Sequence, residues 1–137
     1  MIGVVDTNVV AYYLLATEPF VDEVRQFWRA VDEAWAPVHW EAEVANAIWM
    51  AVRSGTLPRE EGYLKLDMAS RLGIQAVPIR SLWQPALTRA LNSSVAVYDT
   101  LFVELAAQRD LKLATFDTEL LKKFPHIAQR PRAFSSN

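Results

Sequence analysis

The chemistry this chain could do rests on carboxylates. Asp6 directly follows the apolar run Ile2-Gly3-Val4-Val5. Asp99 is the only charged residue from Val95 to Val103, and its helical neighbours Phe102, Val103 and Ala106 are apolar. A carboxylate set in an apolar face costs several kcal/mol unless it finds a strong partner. Asp117 follows Ala114-Thr115-Phe116 and precedes a helical segment holding Leu120 and Leu121. In the segment from Trp40, the stripe of Val44, Ala47 and Ala51 has Glu43 about 60° to one side and Glu41 about 100° to the other. Spacing alone leaves both glutamates open. Each acid also has an ordinary reading, as a turn residue, an N-cap or a first-turn acid favoured by the helix dipole.

Gathered at one sheet edge, Asp6, Glu43, Asp99 and Asp117 would repel one another. Two carboxylates about 4 Å apart repel by roughly 4 kcal/mol at an effective dielectric of about 20. Four together need protons or cations. An all-oxygen set suits a hard divalent ion, Mg²⁺ or Mn²⁺. Such a site, with coordination left for water, fits metal-assisted phosphodiester hydrolysis.

The elements that would bring these acids together read as an alternation. Strands are expected at Ile2 to Val5, Ala34 to Val38, Ile74 to Ile79 and Leu111 to Thr115. Helices are expected from Val9 to Leu15 with Thr7-Asn8 as N-cap, and from Pro19 through Val31. Others run from about His39 to Arg53, Pro58 to Arg71, Ser81 to Leu91, Val95 to Gln108 and Asp117 to Phe124. Ser54-Gly55 and Gly73 mark helix ends. The tail from residue 126 to 137 reads as irregular, with room for one more strand. This order predicts an α/β protein with a parallel sheet covered on both faces. Ligands of such sheets bind at the carboxyl ends of the strands, where Asp6 and Asp117 fall.

Composition agrees. The 137 residues suit a single domain with a real core, since 52% are hydrophobic. The absence of cysteine excludes disulfides, thiolate metal sites and a Cys nucleophile. With His39 and His126 as its only histidines, a multi-His zinc site is disfavoured. No signal peptide or membrane span is evident, so a cytoplasmic protein without membrane contact is expected. The formal charge of −2 argues against binding nucleic acid by bulk electrostatics alone. Setting aside the four acids of a metal cluster leaves a formal +2 on the rest, so a nucleic-acid substrate is not excluded.

Four segments in order resemble a known family: Val4-Val5-Asp6-Thr7-Asn8, Glu43-Val44-Ala45-Asn46-Ala47, Val97-Tyr98-Asp99-Thr100-Leu101 and Ala114-Thr115-Phe116-Asp117. The chain resembles the PIN domain, in particular the VapC-type toxin ribonucleases of toxin–antitoxin pairs. The resemblance implies a PIN-domain-like three-layer α/β/α sandwich around a parallel sheet of about five strands. It implies a Mg²⁺- or Mn²⁺-dependent endoribonuclease acting on RNA. It assigns Asp6, Glu43, Asp99 and Asp117 as catalytic metal ligands, choosing Glu43 over Glu41, with Asn8 and Thr115 as polar helpers. It also implies a homodimer and a cognate VapB-type antitoxin covering the acidic groove. Two departures stand out. Arg109-Asp110-Leu111 fills a turn where the family often has Gly, and Thr100 follows Asp99 where a small residue is common. Asp110 can adopt the left-handed geometry such a turn needs.

Two other functions compete: a PIN-fold RNA- or protein-binding module with little catalysis, and a metal-dependent phosphatase. A haloacid-dehalogenase-type phosphatase would want a second Asp at position 8, where Asn stands. Trp28, Trp35, Trp40, Trp49 and Trp83 are many for this length, and Tyr12-Tyr13 adds to them. Some N-terminal aromatics are expected to line a partner surface. Arg53, Lys122, Lys123, Arg130 and Arg132 are candidates to hold RNA phosphates, although solvated surface is the simpler reading of each. His126 reads as a surface residue.

Overall fold

The structure is a computed structural model that describes residues 1–135. Strands β1 (Ile2–Val5), β2 (Glu33–Pro37), β3 (Gln75–Val77), β4 (Leu113–Ala114) and β5 (Ala128–Gln129) form one sheet in the order β3-β2-β1-β4-β5. Every pairing is parallel, with Val4 opposite Trp35 on one side and Leu113 on the other. Helices α1 (Thr7–Leu14), α2 (Val21–Ala30), α3 (Trp40–Arg53), α4 (Arg59–Ser70), α5 (Trp83–Ser93), α6 (Val97–Gln108), α7 (Thr118–Lys123) and α8 (Arg132–Ser135) flank it. The parallel α/β sandwich expected from the alternation is therefore what the chain forms.

The central strand owes its position to its composition. Val4 and Val5 are fully buried, as a strand covered on both faces requires. Gly3 meets the far end of the chain: a Cβ there would stand 2.7 Å from Phe134 Cε2. Helix α6 packs across β1, β2 and β4, and α5 packs on α6. Residues 100 to 106 of α6 are all buried, which explains the nearly unbroken apolar run there. Thr100 and Glu104 are the exceptions within it: Thr100 donates to the Ala86 carbonyl of α5 at 2.8 Å, and Arg89 of α5 donates to the Glu104 carboxylate at 2.5 Å.

Several boundaries differ from the sequence reading, each for a local reason. Asp6, not Thr7-Asn8, caps α1, its carboxylate accepting the Thr7 amide at 2.8 Å. Helix α2 begins at Val21, with Phe20 rather than Pro19 at its N-cap. Pro78 stops β3 and leads into a 3-10 turn, Ile79–Ser81. Asp110 takes φ 54°, the left-handed geometry expected of it in place of Gly. The tail is less irregular than expected, because it supplies β5 and α8. Arg130 holds it down through a two-pronged pair with Glu23 of α2, at 2.7 and 3.2 Å. Residues 136 and 137 of the tail lie outside the described residues. Among the described residues, no helix is long and apolar enough to cross a membrane.

Candidate active site

Four separate elements deliver the four acids to one cleft. Asp6 comes from the end of β1, Glu43 from the first turn of α3, Asp99 from the first turn of α6 and Asp117 from the N-cap of α7. All four line one cleft of about 590 Å³, together with Thr7, Asn8, Asn46, Met50 and Tyr98. Glu41 points elsewhere and lines a separate hollow against α4, with Leu66 and Ala69. The structure therefore separates the two glutamates that helical spacing left open.

Hydrogen bonds fix the inner wall. Asp6 is buried, and its Oδ2 accepts the Thr115 hydroxyl at 2.7 Å. Thr115 Oγ1 in turn accepts the Asp117 amide at 3.0 Å. The Asn8 amide group stands 3.4 Å from both Asp6 Oδ2 and Thr115 Oγ1, and its carbonyl accepts the Phe116 amide at 3.2 Å. Thr7 donates its hydroxyl to Glu43 Oε1 at 2.6 Å. Asp117 Oδ1 accepts the amides of Glu119 and Leu120 at 2.8 and 3.2 Å, the N-cap role expected of it.

Electrostatics follow from burial and crowding. Burial pushes the Asp6 carboxyl up to about 7; the Thr115 and Thr7 bonds pull down, while Asp99 and Glu43 push further up. Asp99 is half-buried and rises to about 6, through burial first and then the charges of Asp117, Glu43 and Glu119, with His39 acting oppositely. No Lys or Arg lines the cleft among the described residues. Nor do three of these acids already converge, among the described residues, as ligands of one ion. The donor set is nonetheless wholly oxygen, unneutralised by protein cations and strained toward protonation. That is the chemistry a hard divalent ion matches.

Sequence reading missed four residues of this site. Thr7 orients Glu43, and Asn46 and Tyr98 line the cleft beside acids the motifs had marked. His39 Nε2 lies 2.9 Å from the Tyr98 carbonyl oxygen and 3.8 Å from Glu43 Oε1, so it bridges α3 and α6. A carbonyl only accepts, so Nε2 donates to it, and Nδ1 remains buried without a hydrogen-bond partner among the described residues. Thr7 and Asn46 carried a signal, their places within the Asp-Thr-Asn and Glu-Val-Ala-Asn runs. His39 carried none, because its partner lies 59 residues away.

The basic candidates stand outside the cleft. Arg130 is engaged with Glu23 and stacks over Phe116. Arg53 lies over Trp49, and Lys123 donates to the Ser93 carbonyl. Arg132 donates its backbone amide to Glu23. Lys122 and His126 are exposed. The aromatics divide between core and surface. Tyr12, Tyr13 and Trp28 pack against the core, while the exposed tryptophans are Trp49 on α3 and Trp83 on α5.

A central parallel sheet with acids from four elements at its carboxyl edge defines a PIN-type architecture, and comparison with known proteins agrees. The PIN domain family model matches residues 3–127. The chain belongs to the PIN domain family. It is similar to Ribonuclease VapC3 from Pyrobaculum aerophilum, 35% identical over 88 residues; the match covers 62% of this chain and 66% of that protein, just short of two thirds of its length. Its fold is similar to a chain in the crystal structure of VapBC2 from Rickettsia felis bound to a DNA fragment from their promoter. That match has a TM-score of 0.64 and 14% identity, and covers 95% of this chain and 98% of the other.

Proposed function

We propose that this protein is a Mg²⁺- or Mn²⁺-dependent endoribonuclease, the VapC-type toxin of a toxin–antitoxin pair. The observation that carries the reading is the meeting of Asp6, Glu43, Asp99 and Asp117 in one cleft from four separate elements. The similarity to a protein named a ribonuclease supports it from outside the structure.

Asp6, Glu43, Asp99 and Asp117 would hold the ion. Bound there, it would activate water and stabilise the oxygen that leaves the phosphodiester. The chain's own residues set the stage for this. Thr115 and the Thr7 amide fix the two oxygens of Asp6, and the Thr7 hydroxyl fixes Glu43. Glu43 or Asp99 orients the attacking water and takes its proton. Asn8 ties the start of α1 to Thr115 and Phe116, which follow β4.

The same reading includes partners. The exposed side chains Trp49, Tyr63 and Leu66 line an apolar hollow between α3 and α4 with Ala45, Ile48 and Val52. A surface of that kind supports a protein partner, here a VapB-type antitoxin. A homodimer belongs to the proposal as well, to be tested by sedimentation.

The test is RNA cleavage with Mn²⁺ by the purified protein and by Asp6→Asn and Asp99→Asn. Cleavage is expected to fall by at least two orders of magnitude in both variants, consistent with loss of a metal ligand. Undiminished cleavage by either variant overturns the assignment.

A further inference from the structure

The cleft poses a problem of affinity. Its lining offers four carboxylates and no Lys or Arg among the described residues, so it has no side-chain cation for a phosphate backbone. Nucleic-acid affinity ordinarily comes from cations and counterion release. Beyond the proposed ion, a further route is the bases, whose faces stack on aromatic side chains whatever their identity.

One residue is built for that route. Tyr98 lines the cleft beside Asp99, yet 69% of it is exposed. A large aromatic so placed in the first turn of a helix does nothing for the core. Its hydroxyl has no hydrogen-bond partner among the described residues, so burial of that group does not explain it either. The ring is nonetheless anchored: the Tyr98 carbonyl accepts from His39 Nε2 at 2.9 Å, and the two rings lie 6.1 Å apart, tilted by 41°. The buried Phe102, one turn further along α6, packs against His39 at 4.9 Å. His39 therefore braces the backbone beneath Tyr98 from the core. Met50 of α3, also exposed, supplies a second apolar surface to the cleft.

We infer that Tyr98 is a stacking platform for a base of the bound strand next to the phosphate presented to the carboxylates. The inference rests on the proposed function and deepens it. It makes the protein a reader of an unpaired base: a base held in a duplex cannot reach the ring. His39 is a positioning residue for this platform, acting through the Tyr98 backbone.

The experiment uses the whole protein with Mg²⁺ and two fluorescein-labelled twelve-nucleotide probes on a deoxyribose backbone, which a ribonuclease does not cut: an oligoadenylate and the corresponding abasic chain. Binding is followed by anisotropy for the unaltered protein, Tyr98→Ala and Tyr98→Phe. Stacking is worth about 5- to 150-fold per base on alanine substitution. Tyr98→Ala should therefore weaken oligoadenylate binding by about ten-fold or more, Tyr98→Phe should retain it, and the abasic chain should not distinguish the three proteins. Equal oligoadenylate binding by all three overturns the inference. So does an equal loss on the abasic chain, which would place the role of Tyr98 at the backbone. Cleavage assays separate this outcome from that of the proposed function. Tyr98-dependent binding without any RNA cleavage keeps the platform and removes the nuclease. Cleavage with a KM indifferent to Tyr98→Ala keeps the nuclease and removes the platform.

Discussion

Thr115 donates its hydroxyl proton to Asp6 Oδ2 at 2.7 Å, across 109 positions of sequence. The same oxygen of Thr115 accepts the amide of Asp117. A single buried hydroxyl thus couples the first acid of the cleft to the last. Removing it as Thr115→Val should cost about 1–3 kcal/mol of stability, because the buried Asp6 carboxyl and the Asp117 amide each lose a partner. It should also push the Asp6 carboxyl further up and weaken Mn²⁺ binding at pH 7. Calorimetric titration with Mn²⁺ would show this, and Thr115→Ser should restore most of the affinity.

Asp6 itself sets a pH dependence. Its carboxyl sits at about 7 in the folded protein, against an ordinary 3.8, so the fold favours the protonated form. The stability this contributes is complete below about 4 and is lost as pH rises through about 7. Asp99, at about 6, acts in the same direction. In EDTA, the melting temperature should therefore fall between pH 5 and pH 8. Asp6→Asn should flatten that fall and stabilise the protein at pH 8, by up to about 4 kcal/mol, while abolishing cleavage. Scanning fluorimetry across that range gives the sign directly; a melting temperature that climbs toward pH 8 contradicts it.

Glu43 and Glu41 are two residues apart and face different surroundings. Glu43→Gln should remove nuclease activity. Glu41→Gln should leave both activity and stability nearly unchanged, within about 0.5 kcal/mol. Parallel cleavage and urea-unfolding measurements on the pair would check this.

Arg89 and Glu104 join α5 to α6 by an ion pair. Arg89→Ala strands a buried carboxylate and should destabilise by about 3 kcal/mol. The double variant Arg89→Leu with Glu104→Leu should recover most of that loss. A double-variant loss equal to the sum of the two single-variant losses, read by urea denaturation, would show that the pair does not couple.

Gly3 and Phe134 make a test of the strap across the sheet. Gly3→Ala would bring a methyl group against the Phe134 ring, with an expected loss of about 1–2 kcal/mol. In a Phe134→Ala background the same substitution should cost little, and the cycle measures the contact.

Much of this molecule was legible from local pattern. Apolar runs ending in a carboxylate gave β1 with Asp6, and a strand followed by an Asp N-cap gave β4 with Asp117. The run from Val95 to Gln108 announced a buried helix, and Asp110 could be read as a left-handed turn. Long-range partners were not legible. Strand β5 spans two residues and exists because it pairs with β4. The tail is held by Arg130 reaching Glu23, 107 residues back. Thr7, His39 and Tyr98 acquire roles only when α1, α3 and α6 meet, and no periodicity records such meetings. Asp6 as its own helix cap was missed for a different reason, since Thr7-Asn8 offered equally good capping chemistry.

The sheet order has a consequence for how the molecule comes into being. Its middle strand, β1, is made first, but one of its neighbours, β4, is made more than a hundred residues later. The fourth acid, Asp117, follows β4. A growing chain on the ribosome therefore carries three of the acids with no complete sheet beneath them. The four acids can meet only once β4 and Asp117 have been made and β4 has paired with β1. For a protein proposed to cut RNA, the order of translation thus delays assembly of the cleft.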